Sequence, residues 1–348
     1  MNSKNKFLTC SFIVLLTSLL GCQNFDQEFP DYKYTTVYFP YQYPQRTLIL
    51  GDDKQVDTAN DNLLQFSIGI NMGGVYSNAN DRTVSYVIDT TLTKNLYTST
   101  SAPVGFPIQV LPLPKSYYNY QPSGTIVIPK GSMQGYMKIQ LTDAFLNDPY
   151  AIGMKYVIPV RITNAEKDSV LQGIPALANA DRRIGYQWNV KPQDFTLYAI
   201  KYINPWHGTY LFRGRDDYGA GKSAIYRNVY VEKCEIARIS TLSRYKAGFV
   251  TSVRQITGSA SPGTLSMVLT FDNNNVCNIS SDATSYAVVT GTGKFVKDGD
   301  TWGGIKQNAL ILSYSFMDLK TNEQHTVNDT LVVRDRNVKL ETFVPDIK

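Results

Sequence analysis

Two histidines, His207 and His325, and a few carboxylates are the residues of this 348-residue chain that could move protons. A hydrolytic triad uses a His base held against a nucleophile, and spacing assigns neither His a Ser or Asp partner. His207 stands in Trp206-His207-Gly208, a structural setting. His325 ends the polar run Asn322-Glu323-Gln324-His325, which has the composition of a solvated turn. Glycoside hydrolysis needs two carboxylates facing each other across a cleft. The nearest candidates, Asp216-Asp217 and Asp298-x-Asp300, sit beside glycines in predicted loops, and adjacent acids on a strand point apart. Asp272-Asn273-Asn274-Asn275 opens like a calcium loop, but Val276 and Cys277 stand where such a loop needs an oxygen ligand and a Gly. Gly219-Ala220-Gly221-Lys222-Ser223 lacks the earlier Gly of a phosphate loop, and Asp216 stands in its place. Gly291-Thr292-Gly293 lacks the third Gly and the helix of a dinucleotide fingerprint. No Cys/His spacing suits a metal. The chain is expected to be non-catalytic, without cofactor or metal.

What survives is aromatic. Tyr117-Tyr118-Asn119-Tyr120 lies between Pro112, Pro114 and Pro122, and three Tyr in one loop are not expected all to turn inward. An exposed aromatic cluster reads as a binding surface, on which the apolar face of a sugar can stack. Asp300-Thr301-Trp302-Gly303-Gly304 offers a second platform, with Trp302 on a flexible turn and Asp300 a further candidate for sugar contact. The alternative for both is intramolecular, as padding of a sandwich or a domain seam.

The N-terminus supplies one covalent candidate. Lys4 and Lys6 precede an apolar run from Phe7 to Leu20. This is the pattern of a secretory leader, and it is shorter than the roughly 20 residues of a spanning helix. Leu19-Leu20-Gly21-Cys22 looks like the lipobox of bacterial lipoproteins. That likeness implies cleavage after residue 21, a lipid on the sulfur of Cys22, and a chain anchored to a membrane only through that lipid. Cys234 and Cys277 then remain, either as one disulfide or as two buried thiols.

The net charge of +5 includes Lys4 and Lys6 of the leader, and the rest is dispersed. This is not the clustered basic footprint of a nucleic-acid binder. The 24 Tyr, with abundant Val and Thr, favour strands.

The elements that must carry these residues are therefore strands. Residues 22–34 read as a polar tether. Val84, Tyr86 and Ile88 alternate, as do the runs from Gly124 to Ile128 and from Gly135 to Leu141. About seven short strands over residues 35–165 argue for an immunoglobulin-like β-sandwich. The small-residue stretch 166–194 reads as a linker. Residues 195–348 hold eight or more antiparallel strands, with a hairpin tip at Asp272 to Val276. The fold class is all-β, and the second domain is an antiparallel, calycin-like β-barrel or a second sandwich.

Taken together, the chain resembles the two-domain surface lipoproteins of Bacteroidota polysaccharide-utilisation loci. The resemblance rests on Tyr156 to Thr163, on Asn204 to Gly214, on Gly291 to Phe295, on Trp302-Gly303-Gly304, and on Ala309 to Tyr314. It implies an outer-membrane, cell-surface location and capture of a polysaccharide or oligosaccharide beside a SusC/SusD-type importer. It carries over no catalytic residues. A module that binds another protein is the alternative, and a hydrolase using the loop acids is the third.

Overall fold

The computed structural model describes residues 31–98, 108–254, 262–338 and 341–348. Cys22 and the leader lie outside the described residues. The described residues are almost entirely β, and the two α-helices among them, Ala59–Asn62 and Asp143–Asn147, are single turns. No helix of the described residues is long and apolar enough to cross a membrane.

The N-terminal half is a two-sheet sandwich. One sheet places Gln65–Gly73 between Thr36–Tyr38 and Gln134–Leu141, with Tyr118–Gln121 at its edge. Gln65–Gly73 and Gln134–Leu141 alternate exposed and buried residues, because one face meets water and the other meets the core. The second sheet has Tyr156–Ala165 near its centre, between Arg82–Ile88 and Phe195–Ile203. Its run Tyr156-Val157-Ile158-Pro159-Val160 is buried without alternation. That pattern belongs to a strand covered on both sides. Ile158 and Val160 face the sandwich core, while Val157 joins Leu92, Leu96, Val110, Leu197 and Phe343 in a smaller cluster on the other side.

Two expected boundaries move. The sequence places Phe195–Ile203 in the second domain, yet it pairs antiparallel with Tyr156–Ala165 and parallel with Pro44–Ile49. Both of its faces are apolar, so it is held between the two clusters: Ile200 and Tyr202 on one side, Phe195 and Leu197 on the other. The C-terminal residues also return to the sandwich. Glu341–Thr342 pairs with Pro44 and Gln45, and Pro345–Ile347 pairs with Leu96–Thr98. The stretch read as a linker is tied down as well: Ser169–Val170 pairs with Thr36 and Val37, and Ile174–Pro175 pairs with Trp188–Val190.

The second unit runs from Gly208 to Asp335 and is an eight-stranded antiparallel barrel. Its first strand, Gly208–Tyr218, closes onto its last, Gln324–Asp335, from Thr209↔Asp335 to Tyr218↔His325. Of the two architectures left open by sequence, the barrel is the one formed. Closure removes exposed sheet edges. On its other side Gly208–Tyr218 pairs with Glu235–Ser243 and then with Lys222–Tyr226, so one wall position is shared by two strands. Tyr210, Phe249, Leu269 and Leu312 fill the interior, and Trp206 stacks on Phe271 at 3.8 Å to cover one end.

The halves meet at Arg336, which is 5% exposed. Its guanidinium donates to the carbonyls of His207 (2.6 Å), Asn204 (2.6 Å) and Leu50 (3.1 Å). Gly51 has φ +84° there, and a Cβ on it would stand 2.7 Å from the Cβ of Pro205. Lys54–Asp298 (2.8 Å) and Lys297–Asp52 (2.9 Å) add exposed ion pairs across the joint.

Candidate functional site

A cleft of about 780 Å³ opens in the sandwich. Its aromatic lining comes from three strands: Phe66 on Gln65–Gly73, Tyr120 on Tyr118–Gln121 and Tyr198 on Phe195–Ile203. Phe66 and Tyr198 stack with centroids 5.4 Å apart and planes 17° apart. Burial raises the Tyr198 hydroxyl above its ordinary value, and the nearby Arg46 opposes that rise.

Around the rings stand side chains that donate and accept. Gln65 donates to Gln140 at 2.7 Å, and Gln140 donates in turn to the carbonyl of Leu63 at 2.9 Å. Asn60, Asn119, Gln121 and Lys138 also line the cleft, and among the described residues their side chains have no hydrogen-bond partner. Arg46 is held by Asp61, which is 1% exposed and also accepts from the backbone N–H of Ile49 at 2.9 Å. A free carboxamide offers two donors and an acceptor. The lining contains no carboxylate.

The tyrosines singled out by sequence are not the exposed platform expected. Tyr118 is 5% exposed and belongs to the core. Tyr117 packs edge-on against Phe145 and Tyr156 and donates to Asp148 at 2.9 Å. Tyr120 stacks on Tyr118 at 5.8 Å and packs against the core, but it also lines the cleft. The segment forms a strand rather than a loop, and its period of two turns Tyr118 and Tyr120 to one side.

The second platform is likewise engaged. Trp302 is half-buried, and its Nε1–H donates to the carbonyl of Val333 at 3.0 Å. Asp300 pairs with Arg213. A register shift between Val296 and Asp300 bends this hairpin back against the barrel wall. Its turn uses Gly303 at φ +59° and Gly304 at φ +75°, the backbone that tight hairpins require. The two platform segments lie on different domains, the first in the sandwich and the second in the barrel.

A further group of chemistry-bearing residues lies inside the barrel, where sequence foresaw none. His325 is not in a solvated turn. It is 2% exposed, sandwiched between Tyr218 at 4.8 Å and Phe316 at 4.6 Å. Its Nδ1 lies 2.8 Å from Asp216, and Nε2 lies 4.0 Å from Asp318. Asp216 is on the strand Gly208–Tyr218 rather than in a loop, and its neighbour Asp217 faces outward to Arg215. Asp329 accepts from the hydroxyls of Tyr226 and Tyr314 (the latter at 2.9 Å). Burial pushes its carboxyl up to about 7 against those two bonds. Arg254 lies 4.0 Å over the Tyr226 ring and grips Glu235 at 2.8 and 2.9 Å. Gly214 makes room for this packing, since a Cβ there would stand 2.0 Å from Asp329 and 2.6 Å from Tyr226.

The free volume beside these groups is about 10 Å³, at the lower limit for one water. A substrate has no room there. Both His325 nitrogens face carboxylates, so the His–Asp pair has no nucleophile to activate. His207 is held neutral: burial lowers it to about 4, and its Nδ1 accepts from the backbone N–H of Thr241 at 3.1 Å. Cys234 and Cys277 are buried free thiols. No cluster of metal-ligating residues occurs among the described residues.

Residues 205–337 match the family model of a domain of unknown function, DUF5627. Residues 32–169 match a model for an N-terminal domain. A crystal structure of a structural-genomics protein of unknown function from Bacteroides ovatus is 36% identical to the chain. The match covers 92% of this chain and 100% of that one, with a TM-score of 0.83. The chain belongs to that protein's family. Its DUF5627 domain coincides with the barrel, and the N-terminal match falls within the sandwich. Two further Bacteroides ovatus structures are more distant. A multidomain protein including DUF1735 is 12% identical, with a TM-score of 0.41 over 89% of this chain and 100% of that one. A second protein of unknown function is 14% identical, with a TM-score of 0.39 over 89% and 100%. No curated protein matches the chain.

Proposed function

We propose that this chain is a non-catalytic carbohydrate-binding protein, displayed at the outer cell surface by a lipid on Cys22, with the sandwich cleft as its saccharide site. The cleft is the observation that carries the reading. Phe66, Tyr120 and Tyr198 give it an aromatic lining, and Asn60, Asn119 and Gln121 bring carboxamides that no other described side chain uses. Sugars present apolar C–H faces to aromatic rings and hydroxyls to groups that both donate and accept. A cleft without carboxylates has no acid–base pair for glycosidic cleavage. The leader-like start and the Leu-Leu-Gly-Cys22 run support surface display, and the family's presence in Bacteroides ovatus is consistent with work beside a SusC/SusD-type importer.

Electrophoresis of the soluble chain through gels containing neutral or acidic polysaccharides tests the reading. Retardation by at least one polysaccharide, lost in Tyr120→Ala, is the expected result. Equal mobility in every gel would sink it.

One observation favours a protein partner instead. Ile225, Val229, Tyr230 and Ile236, all in or between Lys222–Tyr226 and Glu235–Ser243, are 61%, 91%, 58% and 58% exposed. Recovery of a membrane protein by the chain without any sugar present, lost in Tyr230→Ser, would support that second reading.

A further inference from the structure

The outer wall of the barrel carries a second hollow, of about 240 Å³, remote in sequence from the sandwich cleft. Three arginines line it. Arg213 and Arg215 are two apart on Gly208–Tyr218, so both point outward on one face, opposite the interior side chains Phe212 and Asp216. Arg227 follows directly after the neighbouring strand Lys222–Tyr226. Thr330 and Asn328, the cross-strand partners of Arg213 and Arg215, line the same hollow.

Like charges placed side by side on a sheet repel each other, so such a cluster needs counter-charge. Asp300 pairs with Arg213, and Asp217 pairs with Arg215 at 2.7 Å. Neither carboxylate belongs to the hollow's lining. Arg227 has no ion-pair partner among the described residues. Arg213 is 17% exposed in its side chain, and its Nε–H is buried without a hydrogen-bond acceptor. The hollow therefore holds one unmatched positive charge, that of Arg227, with no acid in its lining.

We propose that this hollow is a binding site for an oxyanion carried on a saccharide, either a sulfate ester or a carboxylate. The guanidinium fork matches the geometry of such groups; Arg227 offers a free one, and Arg213 and Arg215 add positive charge beside it. The neutral side chains of Asn328 and Thr330 stand beside them for the hydroxyls of the ring that bears the anion. The site is independent of the sandwich cleft. A chain with both can grip one acidic polymer at two places and gain avidity.

The test is calorimetric titration of the full chain with three oligosaccharides of matched length: sulfated, uronate-containing and neutral. Inorganic sulfate is a fourth probe. At least one acidic oligosaccharide is expected to bind, with affinity falling as salt rises. Arg227→Gln, an exposed change that leaves the fold intact, is expected to weaken that binding at least tenfold. Arg213→Gln is expected to do the same, and neutral-sugar binding should be unchanged in both. Which acidic probe binds identifies the anion. Acidic binding untouched by either substitution, or no acidic binding, overturns the proposal. Inorganic sulfate binding as tightly as the sulfated sugar overturns its saccharide part. Neutral binding that persists in those cases leaves the sandwich cleft standing, so the two failures are distinguishable.

Discussion

Phe66 and Tyr198 come from opposite sheets of the sandwich and stack ring on ring at 5.4 Å in the cleft. Elsewhere the space between the sheets is filled by fully buried side chains such as Ile68, Ile158, Val160 and Tyr202. The contact gives a seam that opens to solvent a rigid aromatic surface, which loses little conformational freedom when a ligand docks.

The carboxamides beside these rings are expected to contribute to binding without contributing to the fold. Asn119→Ala and Gln121→Ala should each weaken saccharide binding about tenfold, or ~1.4 kcal/mol, and leave the Tm unchanged. Calorimetric titration alongside thermal melts checks both parts. A drop in Tm matching the loss in affinity would make these residues structural instead.

Asp329 should impose a pH dependence on stability. Burial raises its carboxyl to about 7 in the folded chain, whereas an unfolded Asp titrates near about 3.9. A raised folded-state value means that its stabilising contribution is full below about pH 4 and is lost as pH rises through 7. The slope from one such group is at most about 1.4 kcal/mol per pH unit. Urea unfolding from pH 4 to 8 should show wild type losing stability relative to Asp329→Asn. A flat difference between the two would contradict this.

The pair Asp216–His325 is expected to matter for stability alone. His325→Leu leaves a buried carboxylate without its partner and should cost about 3–5 kcal/mol. Asp216→Asn keeps a hydrogen-bonding group against the ring and should cost less. Denaturant titration ranks the two, and saccharide binding by the folded fraction should be the same as wild type.

Arg336 should couple the two halves. Arg336→Ala strands the carbonyls of Leu50, Asn204 and His207, at a cost of about 2–4 kcal/mol. Scanning calorimetry should then resolve separate transitions for sandwich and barrel. A single transition at the wild-type temperature would count against a pinning role.

Much of the strand pattern was legible because one-sided burial writes a period of two into strands such as Gln65–Gly73 and Gln134–Leu141. Phe195–Ile203 was misassigned for a physical reason. A strand apolar on both faces carries no mark of the sheet it joins, and its parallel partner Pro44–Ile49 lies about 150 residues earlier. Tyr118 and Tyr120 carried a signal that the surrounding prolines obscured: the alternation Tyr-Asn-Tyr-Gln is that of a strand with one aromatic face. His325 hid in the same way, since it lies just inside a strand whose alternating partners, Val327 and Leu331, are core residues. The cleft could not be read locally. Phe66, Tyr120 and Tyr198 are brought together only by sheet pairing and by the packing of two sheets.

The most direct measurement is a crystal structure of the soluble chain soaked with an oligosaccharide that retards it in gels. Sugar density over Phe66, Tyr120 and Tyr198, with hydroxyls on Asn119 or Gln121, is the expected result. A sugar seated elsewhere with the sandwich cleft empty would contradict it.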